Sequence, residues 1–449
     1  MSDPPAPVTD LRLRVPSPGL LALPWHKPLE TWTREEVPLR ELPVGPSRHL
    51  VRFVATDGRL WALKELPQRL ALHEYETLRK LENMGLPCVH PAGLVLQPEG
   101  DNALLVTRYL DGSWQFRRLL MRLPPDRPRH RARLLDAMVS LLVDLHRHGV
   151  FWGDCSLANT LFSRDGQLLQ AWLVDAETSE VHPQLSPGQR RHDLDILVEN
   201  TAGGMIDLAV MLGRPPDIYD RLVDEASSAY GRYDALWEVL HDQPVVSFAD
   251  RYQVQARIRR LQELGFGVDE IVLEPTHEGD ERLRLKVGVA ARRYHAAELR
   301  ELTGLEVGEG QARVLLGDLQ AYEATLRELY AEVSSAVAEL DRPPPAQLSR
   351  PQAARRWLDR VYRPGVDRAF EAVGRLGDPV QAYCDLLEVR WLLSEQAGRD
   401  VGDGVALQAL ADRSLPTDAA AMVVVAEEPT QEMPALTPEV LRDLARGAR

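Results

Sequence analysis

Long apolar runs are missing from this chain. No stretch of about 18 apolar residues occurs, so no segment is built to cross a membrane as a helix. Cysteine is scarce: Cys88, Cys155 and Cys384 are three in number, far apart, and form no C-x-x-C pair. That argues against a disulfide framework and against a zinc site. Positive charge is in deficit, with 53 Lys and Arg against 67 Asp and Glu and a net charge of −14. The surface as a whole is therefore unsuited to non-specific nucleic-acid binding. Lysine is rarest of all the charged residues, at Lys27, Lys64, Lys80 and Lys286 only, every other long basic side chain being arginine. A GC-rich genome accounts for the bias as a whole. A lysine that persists against it is still a candidate for a task that needs a compact ammonium rather than a planar guanidinium. The N-terminal stretch MSDPPAPVTDLRLRVPSPG has no apolar core of a signal peptide, and a cytoplasmic location is expected.

The 449 residues, 44% hydrophobic and 27% charged, suit a globular protein of two or three domains. Residues 1–20 are polar and proline-rich and are expected to be a disordered tail. From there to about residue 107 the patterns are those of a small strand-rich region. LVRFVATDGRLWALKEL reads as a hairpin turning at Thr56-Asp57-Gly58. In RLALHEYETLRKLENMG, Leu72, Tyr75, Leu78 and Leu81 form a helical stripe with Gly85 as the C-cap. AGLVLQPEGDNALLVTRYL reads as a second strand pair. A helical region follows, with Leu134, Leu135, Met138, Leu141, Leu142 and Leu145 on one face of a helix that ends at Gly149. The first domain is placed at 21–245. A mixed α/β module is expected over 246–340, a Pro-rich linker at 341–351, a helical segment over 352–413, and a weakly structured tail over 414–449.

Five polar residues fall in a telling order. Lys64 lies on a strand, Glu74 on the next helix, Asp154 and Asn159 in the loop VFWGDCSLANTLF after a long helix, and Asp175 at a strand end in LVDAET. Phosphoryl transfer from ATP asks for these parts. A lysine holds phosphates and a helix carboxylate orients it. An aspartate accepts the proton of the acceptor hydroxyl, and an Asn and an Asp offer hard oxygen ligands to magnesium. Each residue alone is ordinary: a strand lysine, a solvated helix glutamate, a turn aspartate. The ordered set on the right elements is what carries weight.

Here the sequence resembles the protein-kinase-like superfamily. VFWGDCSLANTLF is similar to the catalytic loop His-Arg-Asp-x-x-x-x-Asn, LVDAET to the metal segment Asp-Phe-Gly, and LWALKEL to Val-Ala-x-Lys. HEYETLRKLENMGLP resembles the glutamate-bearing helix of small atypical kinases, with Glu74 as the lysine's partner and Glu76 as second choice. Within the superfamily the chain looks most like lipopolysaccharide-core (Kdo/WaaP-type), Bud32-like and aminoglycoside-phosphotransferase-like kinases. The stretches RIRRLQELGFGVDEI and ELRELTGLEVGEGQARVLL resemble the DUF4032 family, which joins such a module to an N-terminal kinase-like region. The resemblance implies an α+β chain: a two-lobed protein-kinase-like fold, then a mixed α/β module and C-terminal helices. It implies ATP and Mg2+ as cofactors, Asp154 as catalytic base, Asn159 and Asp175 as metal ligands, and Lys64, Glu74, Gly45, Ser47, Arg108 and Tyr109 as ATP-binding residues.

The departures from the family pattern leave alternatives open. Trp152 and Gly153 replace His-Arg, and Ala176 replaces the phenylalanine, so a large Trp152 is expected to fill the space beside a small Ala176. Glu177 stands at the glycine position and either joins the metal site or faces solvent. PVGPSRHLVRF has the single glycine Gly45, so Ser47, Arg48 and His49 either complete a phosphate loop or form a plain strand turn. Asp193, in RRHDLDIL, either braces the catalytic loop or caps a helix. Arginine clusters beside Tyr294 and His295 either bind phosphate groups or are an ordinary helical surface. The expected function is phosphoryl transfer to an unidentified hydroxyl acceptor. The alternative is a pseudokinase, a nucleotide-binding scaffold or sensor without turnover, and AMP transfer would use the same residues. A protein partner is expected for the C-terminal modules, and nucleic acid is not.

Overall fold

The protein is described from a computed structural model over residues 10–42, 48–97, 101–116, 118–119, 128–247, 251–275, 282–338 and 348–423. The chain divides into two compact units: Met1–Ser163 with Gln170–Asp234 and Glu427–Arg449, and Arg164–Leu169 with Ala235–Ala426.

The first unit opens with a six-stranded antiparallel sheet. Its strands are β1 (Asp10–Leu13), β2 (Leu39–Arg40), β3 (Leu50–Thr56), β4 (Arg59–Pro67), β5 (Pro91–Leu96) and β6 (Asn102–Arg108), in the spatial order β1-β5-β6-β4-β3-β2. Alternation along β4 sets the two faces of the sheet. Trp61 and Leu63 turn to one side, into a core with Trp25, Leu29, Trp32, Val54, Val95, Leu104 and Val106. Lys64 takes the opposite side, opposite Val51 of β3 and Leu105 of β6. Short helix α1 (Pro18–Leu21) precedes the two tryptophans, whose rings meet edge-on at 5.6 Å. Residues 10–20 thus differ from the expected disordered tail. β1 pairs with β5 from Asp10 to Leu13, and Leu20 is fully buried, because Leu11, Leu13 and Val15 supply apolar groups that the proline count conceals.

Helix α2 (Gln68–Asn83) follows β4 directly. Its buried stripe is Ala71, Glu74, Tyr75, Leu78 and Leu81, so a carboxylate occupies a core-facing turn of an otherwise apolar face. The loop after α2 ties to the strand that leads to Asp175: Val89 N–H donates to the Leu173 carbonyl at 2.9 Å, and Leu173 N–H to Pro87 at 3.0 Å.

The helical part of this unit holds α3 (Pro128–Arg147), α4 (Pro187–Met211) and most of α5 (Tyr219–His241). Leu134, Leu135, Met138, Leu141, Leu142 and Leu145 of α3 are all buried. Short strands accompany these helices: β7 (Ser113–Gln115), ahead of α3, joins β9 (Thr160–Asp165) and β10 (Leu168–Leu173), and β8 (Val150–Phe151) pairs with β11 (Glu180–Val181). A capping box starts α4, with Ser186 Oγ accepting from Gln189 N–H at 3.2 Å and Gln189 Oε1 accepting from Ser186 N–H at 3.0 Å.

The second unit contains a three-stranded sheet of β12 (Val245–Ser247), β13 (Val268–Pro275) and β14 (Arg282–Val289), in the order β12-β14-β13. Its helices are α6 (Arg251–Glu263), α7 (Tyr294–Thr303), α8 (Glu309–Ala338), α9 (Arg350–Trp357), α10 (Arg363–Ala372), α11 (Pro379–Ala397) and α12 (Gly402–Ala411). Helices on both sides of the Pro-rich stretch share one core. Leu299, Leu315, Leu316 and Leu319 pack in the same cluster as Trp357, Tyr383, Leu386 and Leu410.

The segment Arg164–Leu169 is fixed within this second unit by polar contacts. Arg164 makes a two-pronged pair with Asp385 at 2.7 and 2.6 Å, and Asp165 accepts from the first amides of α8, Gly310 at 2.8 Å and Gln311 at 2.9 Å. Gln381 bonds both backbone groups of Gly166 at 2.9 Å. The Arg164 and Asp385 side chains are only 5% and 12% exposed. Removing one member of a buried pair strands the other charge, so Arg164→Ala should destabilise this unit by about 3 kcal/mol. Hydrogen exchange of amides in α9 to α12 under mild denaturant checks it, and protection equal to wild type would show the pair to be idle.

Candidate active site

The ammonium of Lys64 is the centre of the site. Its Nζ lies 3.0 Å from Glu74 Oε2 and 2.6 Å from Asp175 Oδ2, with Glu177 Oε2 at 3.8 Å. Three elements converge there: β4 supplies the lysine, the core-facing turn of α2 supplies Glu74, and the segment after β10 supplies Asp175 and Glu177. The Glu74 side chain is 1% exposed and that of Lys64 15%, whereas Glu76 faces solvent. Helix geometry chooses between them, because Glu74 shares the face of Ala71, Tyr75 and Leu78 and Glu76 does not.

Charge in this cluster is unevenly matched. Burial works against the Lys64 ammonium, but Glu74 and Asp175 outweigh it and its pKa is raised. Burial, followed by the Asp175 charge, pushes Glu74 up to about 8 against the pull of Lys64.

The loop of Asp154 and Asn159 is shaped by its own polar groups. Ser156 starts the short 3-10 turn Leu157–Asn159, its Oγ accepting from Asn159 N–H at 3.3 Å. Asn159 Nδ2 donates to Asp154 Oδ2 at 3.0 Å, which turns the amide oxygen the other way. The Val174 amide donates to the Asn159 carbonyl at 3.0 Å, so Asp175 follows directly on a residue bonded to the Asn159 backbone. Asp175 Oδ1 accepts from Glu177 N–H at 3.1 Å while Oδ2 holds Lys64. The carboxylate of Asp175 and the amide oxygen of Asn159 are hard donors of the kind magnesium prefers, with its remaining positions left to water and phosphate. The residues present fit that ion.

Asp193 holds this loop from beneath. It is fully buried in α4 and accepts from Trp152 N–H at 2.7 Å, Gly153 N–H at 2.8 Å and His146 Nε2 at 3.0 Å. Ser186 caps the helix, so Asp193 is the brace and not the cap. His146 Nδ1 lies 2.8 Å from the Tyr233 hydroxyl. A neutral ring protonated at Nε2 satisfies both contacts, donating to Asp193 and accepting from Tyr233. Burial holds the His146 pKa below its ordinary value despite Asp193. Gly153 has φ of +80°, and a Cβ there would sit 2.8 Å from the Thr178 carbonyl. Glycine is required where the arginine of the family stands. Thr178 and Ser179 hydroxyls donate to the Trp152 carbonyl at 3.0 and 3.1 Å, and the Trp152 and Ala176 side chains are both fully buried.

The remaining candidates are placed less uniformly. Gly45 and Ser47 lie outside the described residues. Arg108 is exposed, and its amide donates to the His90 carbonyl at 2.9 Å; the Tyr109 amide donates to Leu60 at 3.0 Å. The Tyr109 ring meets Phe53 edge-on at 5.7 Å. Both amides are thus used within the protein. His49, just before β3, lies 3.1 Å from Glu177 Oε2 through Nε2. Sequence reasoning did not reach that contact or the His146–Asp193 pair. The only signal for His146 was a histidine in the last turn of a long apolar helix.

Residues 57–207 match the family described as Lipopolysaccharide kinase (Kdo/WaaP) family. Residues 235–415 match the family described as Domain of unknown function (DUF4032). Among solved structures, one described as WaaP in complex with acyl carrier protein is 18% identical, with a TM-score of 0.29 over 44% of this chain and 90% of its own. No curated protein matches. The chain thus carries a stretch similar to lipopolysaccharide kinases and, after it, a stretch similar to DUF4032 proteins. No helix among the described residues is long and apolar enough to cross a membrane.

Proposed function

We propose that the first unit is an ATP- and magnesium-dependent phosphotransferase acting on a hydroxyl group. The observation that carries this reading is Lys64 held at 3.0 Å by a buried Glu74 and at 2.6 Å by Asp175, within the stretch similar to lipopolysaccharide kinases. Lys64 binds phosphate oxygens of the nucleotide, and Glu74 keeps the ammonium from swinging to solvent. Asn159 and Asp175 would hold magnesium, which neutralises charge on the phosphates when bound. Asp154 accepts the proton of the acceptor hydroxyl, with one carboxylate oxygen steadied by Asn159 Nδ2. The Asp193 brace sets the backbone directly before Asp154. The acceptor is proposed only as a hydroxyl-bearing compound, and a protein partner is proposed for the second unit.

Nucleotide binding tests the reading. Lys64→Met removes the phosphate contact and Asp175→Asn a metal carboxylate. Each should weaken magnesium-ATP binding about tenfold or more in titration calorimetry. Wild-type protein that binds no magnesium-ATP, or a Lys64→Met variant that binds it normally, would remove the reading.

A further inference from the structure

Three carboxylates surround one ammonium, and the third is tethered from outside the usual set. Lys64 has three N–H bonds to give. Glu74 and Asp175 take two, and Glu177 Oε2 stands 3.8 Å off on what remains of its surroundings. Glu177 does not face open solvent: its side chain is 21% exposed, and His49 Nε2 meets the same Oε2 at 3.1 Å. His49 directly precedes β3, within the stretch PVGPSRHLVRF that the sequence offers either as a phosphate loop or as a strand turn. The two residues are 128 positions apart, so the contact belongs to the fold and not to local sequence. Main-chain geometry supports the same placement, since Glu177 N–H donates to Asp175 Oδ1 at 3.1 Å and so fixes the turn that aims the glutamate.

We propose that Glu177, positioned by His49, is a built-in counter-ion of Lys64 that a nucleotide phosphate must displace, and that this pair makes nucleotide binding strongly dependent on a divalent cation. The inference rests on the phosphotransferase reading of the site. A phosphate oxygen reaching Lys64 comes within a few ångströms of the Glu177 carboxylate. Like charges that close repel in a half-buried setting. A cation on the phosphates offsets the repulsion; metal-free nucleotide has no such relief. His49 prevents Glu177 from turning away at no cost, because leaving Lys64 also means leaving the imidazole.

The experiment measures affinity for a β,γ-imido analogue of ATP, with excess magnesium and with EDTA, on the full chain. Glu177→Gln keeps size and hydrogen bonding but removes the charge. It should tighten metal-free binding about three- to tenfold, with magnesium-dependent binding changed little. His49→Ala, which unties the glutamate, should shift metal-free binding in the same direction by less, and should have no further effect when Glu177 is already Gln. Metal-free binding unchanged by Glu177→Gln, with weaker magnesium-dependent binding, would make Glu177 a metal ligand and overturn the proposal. Weaker binding in His49→Ala in both backgrounds would make His49 a phosphate contact and overturn its part. Lys64→Met separates the two levels. If it binds the magnesium complex as wild type does, or if no form binds, the phosphotransferase reading has failed; if it loses binding while Glu177→Gln gains none, only the counter-ion has failed.

Discussion

Asp154→Asn should lower phosphoryl transfer about 10²-fold or more while leaving magnesium-ATP affinity within about twofold. The asparagine keeps the size of the side chain, and its oxygen can still accept the 3.0 Å bond from Asn159 Nδ2. Loop shape should therefore survive. On the proposed reading, what is lost is the carboxylate oxygen that takes the proton as the acceptor oxygen bonds to phosphorus and ADP leaves. Incubating wild type and variant with γ-labelled ATP and fractions of cell extract measures the effect, and the labelled fraction also reveals the acceptor class. Wild-type protein that binds magnesium-ATP but never labels any fraction above the Asp154→Asn level is a pseudokinase, a nucleotide-binding scaffold without turnover. Label entering from the α position instead of the γ position assigns AMP transfer to the same residues.

The parts of this site that sequence made legible are those that local pattern encodes. Lys64 shows through the likeness of LWALKEL to a kinase strand motif, and Glu74 through the likeness of its helix, where Glu76 stood as second choice and only burial on the face of Tyr75 and Leu78 selects Glu74. Asp154 and Asn159 show through their interval, because a four-residue gap across a 3-10 turn is what brings the two side chains within 3.0 Å. The contacts that sequence could not reveal are long-range. His49 and Glu177 meet only because β3 and the segment after β10 converge, and neither residue carries a local mark of the other. Asp193 read equally well as a cap, since an aspartate near a helix start is common in that role; only the position of Ser186 seven residues earlier settles which one caps. At the N-terminus, proline and polar content outweighed three apolar residues spaced for an edge strand, and Asp10–Leu13 pairs with β5. In the second unit the Pro-rich stretch reads as a boundary, while the packing of Leu315 and Leu319 in one cluster with Trp357 and Tyr383 is a tertiary fact invisible to composition.

Asp193→Ala should destabilise the first unit strongly, costing about 3–5 kcal/mol. Its carboxylate accepts three bonds, from the buried Trp152 N–H and His146 Nε2 and from the half-buried Gly153 N–H, with Asp193 and the His146 side chain wholly buried. Alanine leaves all three donors without that acceptor. Asparagine is no rescue, because its amide nitrogen would face a donor where a second acceptor is needed. Denaturant unfolding of the full chain, with hydrogen exchange of α3 and α4 amides to locate the loss, measures the effect. The pH dependence gives it a signature beyond general damage. Burial lowers the folded-state pKa of His146, whereas the unfolded chain takes up that proton near the ordinary value of 6.5. Stability from this group is complete above that value and falls as pH drops below it. Asp193 is the main group favouring the protonated ring, so its removal lowers the folded-state pKa further and extends the loss. The gap in melting temperature between wild type and Asp193→Ala should therefore be wider at pH 5.5 than at pH 8, a window above the usual carboxylate range. A constant gap would mean that His146 does not report on the brace. A variant within about 1 kcal/mol of wild type would mean that the loop before Asp154 is held by the Thr178 and Ser179 hydroxyls on the Trp152 carbonyl instead.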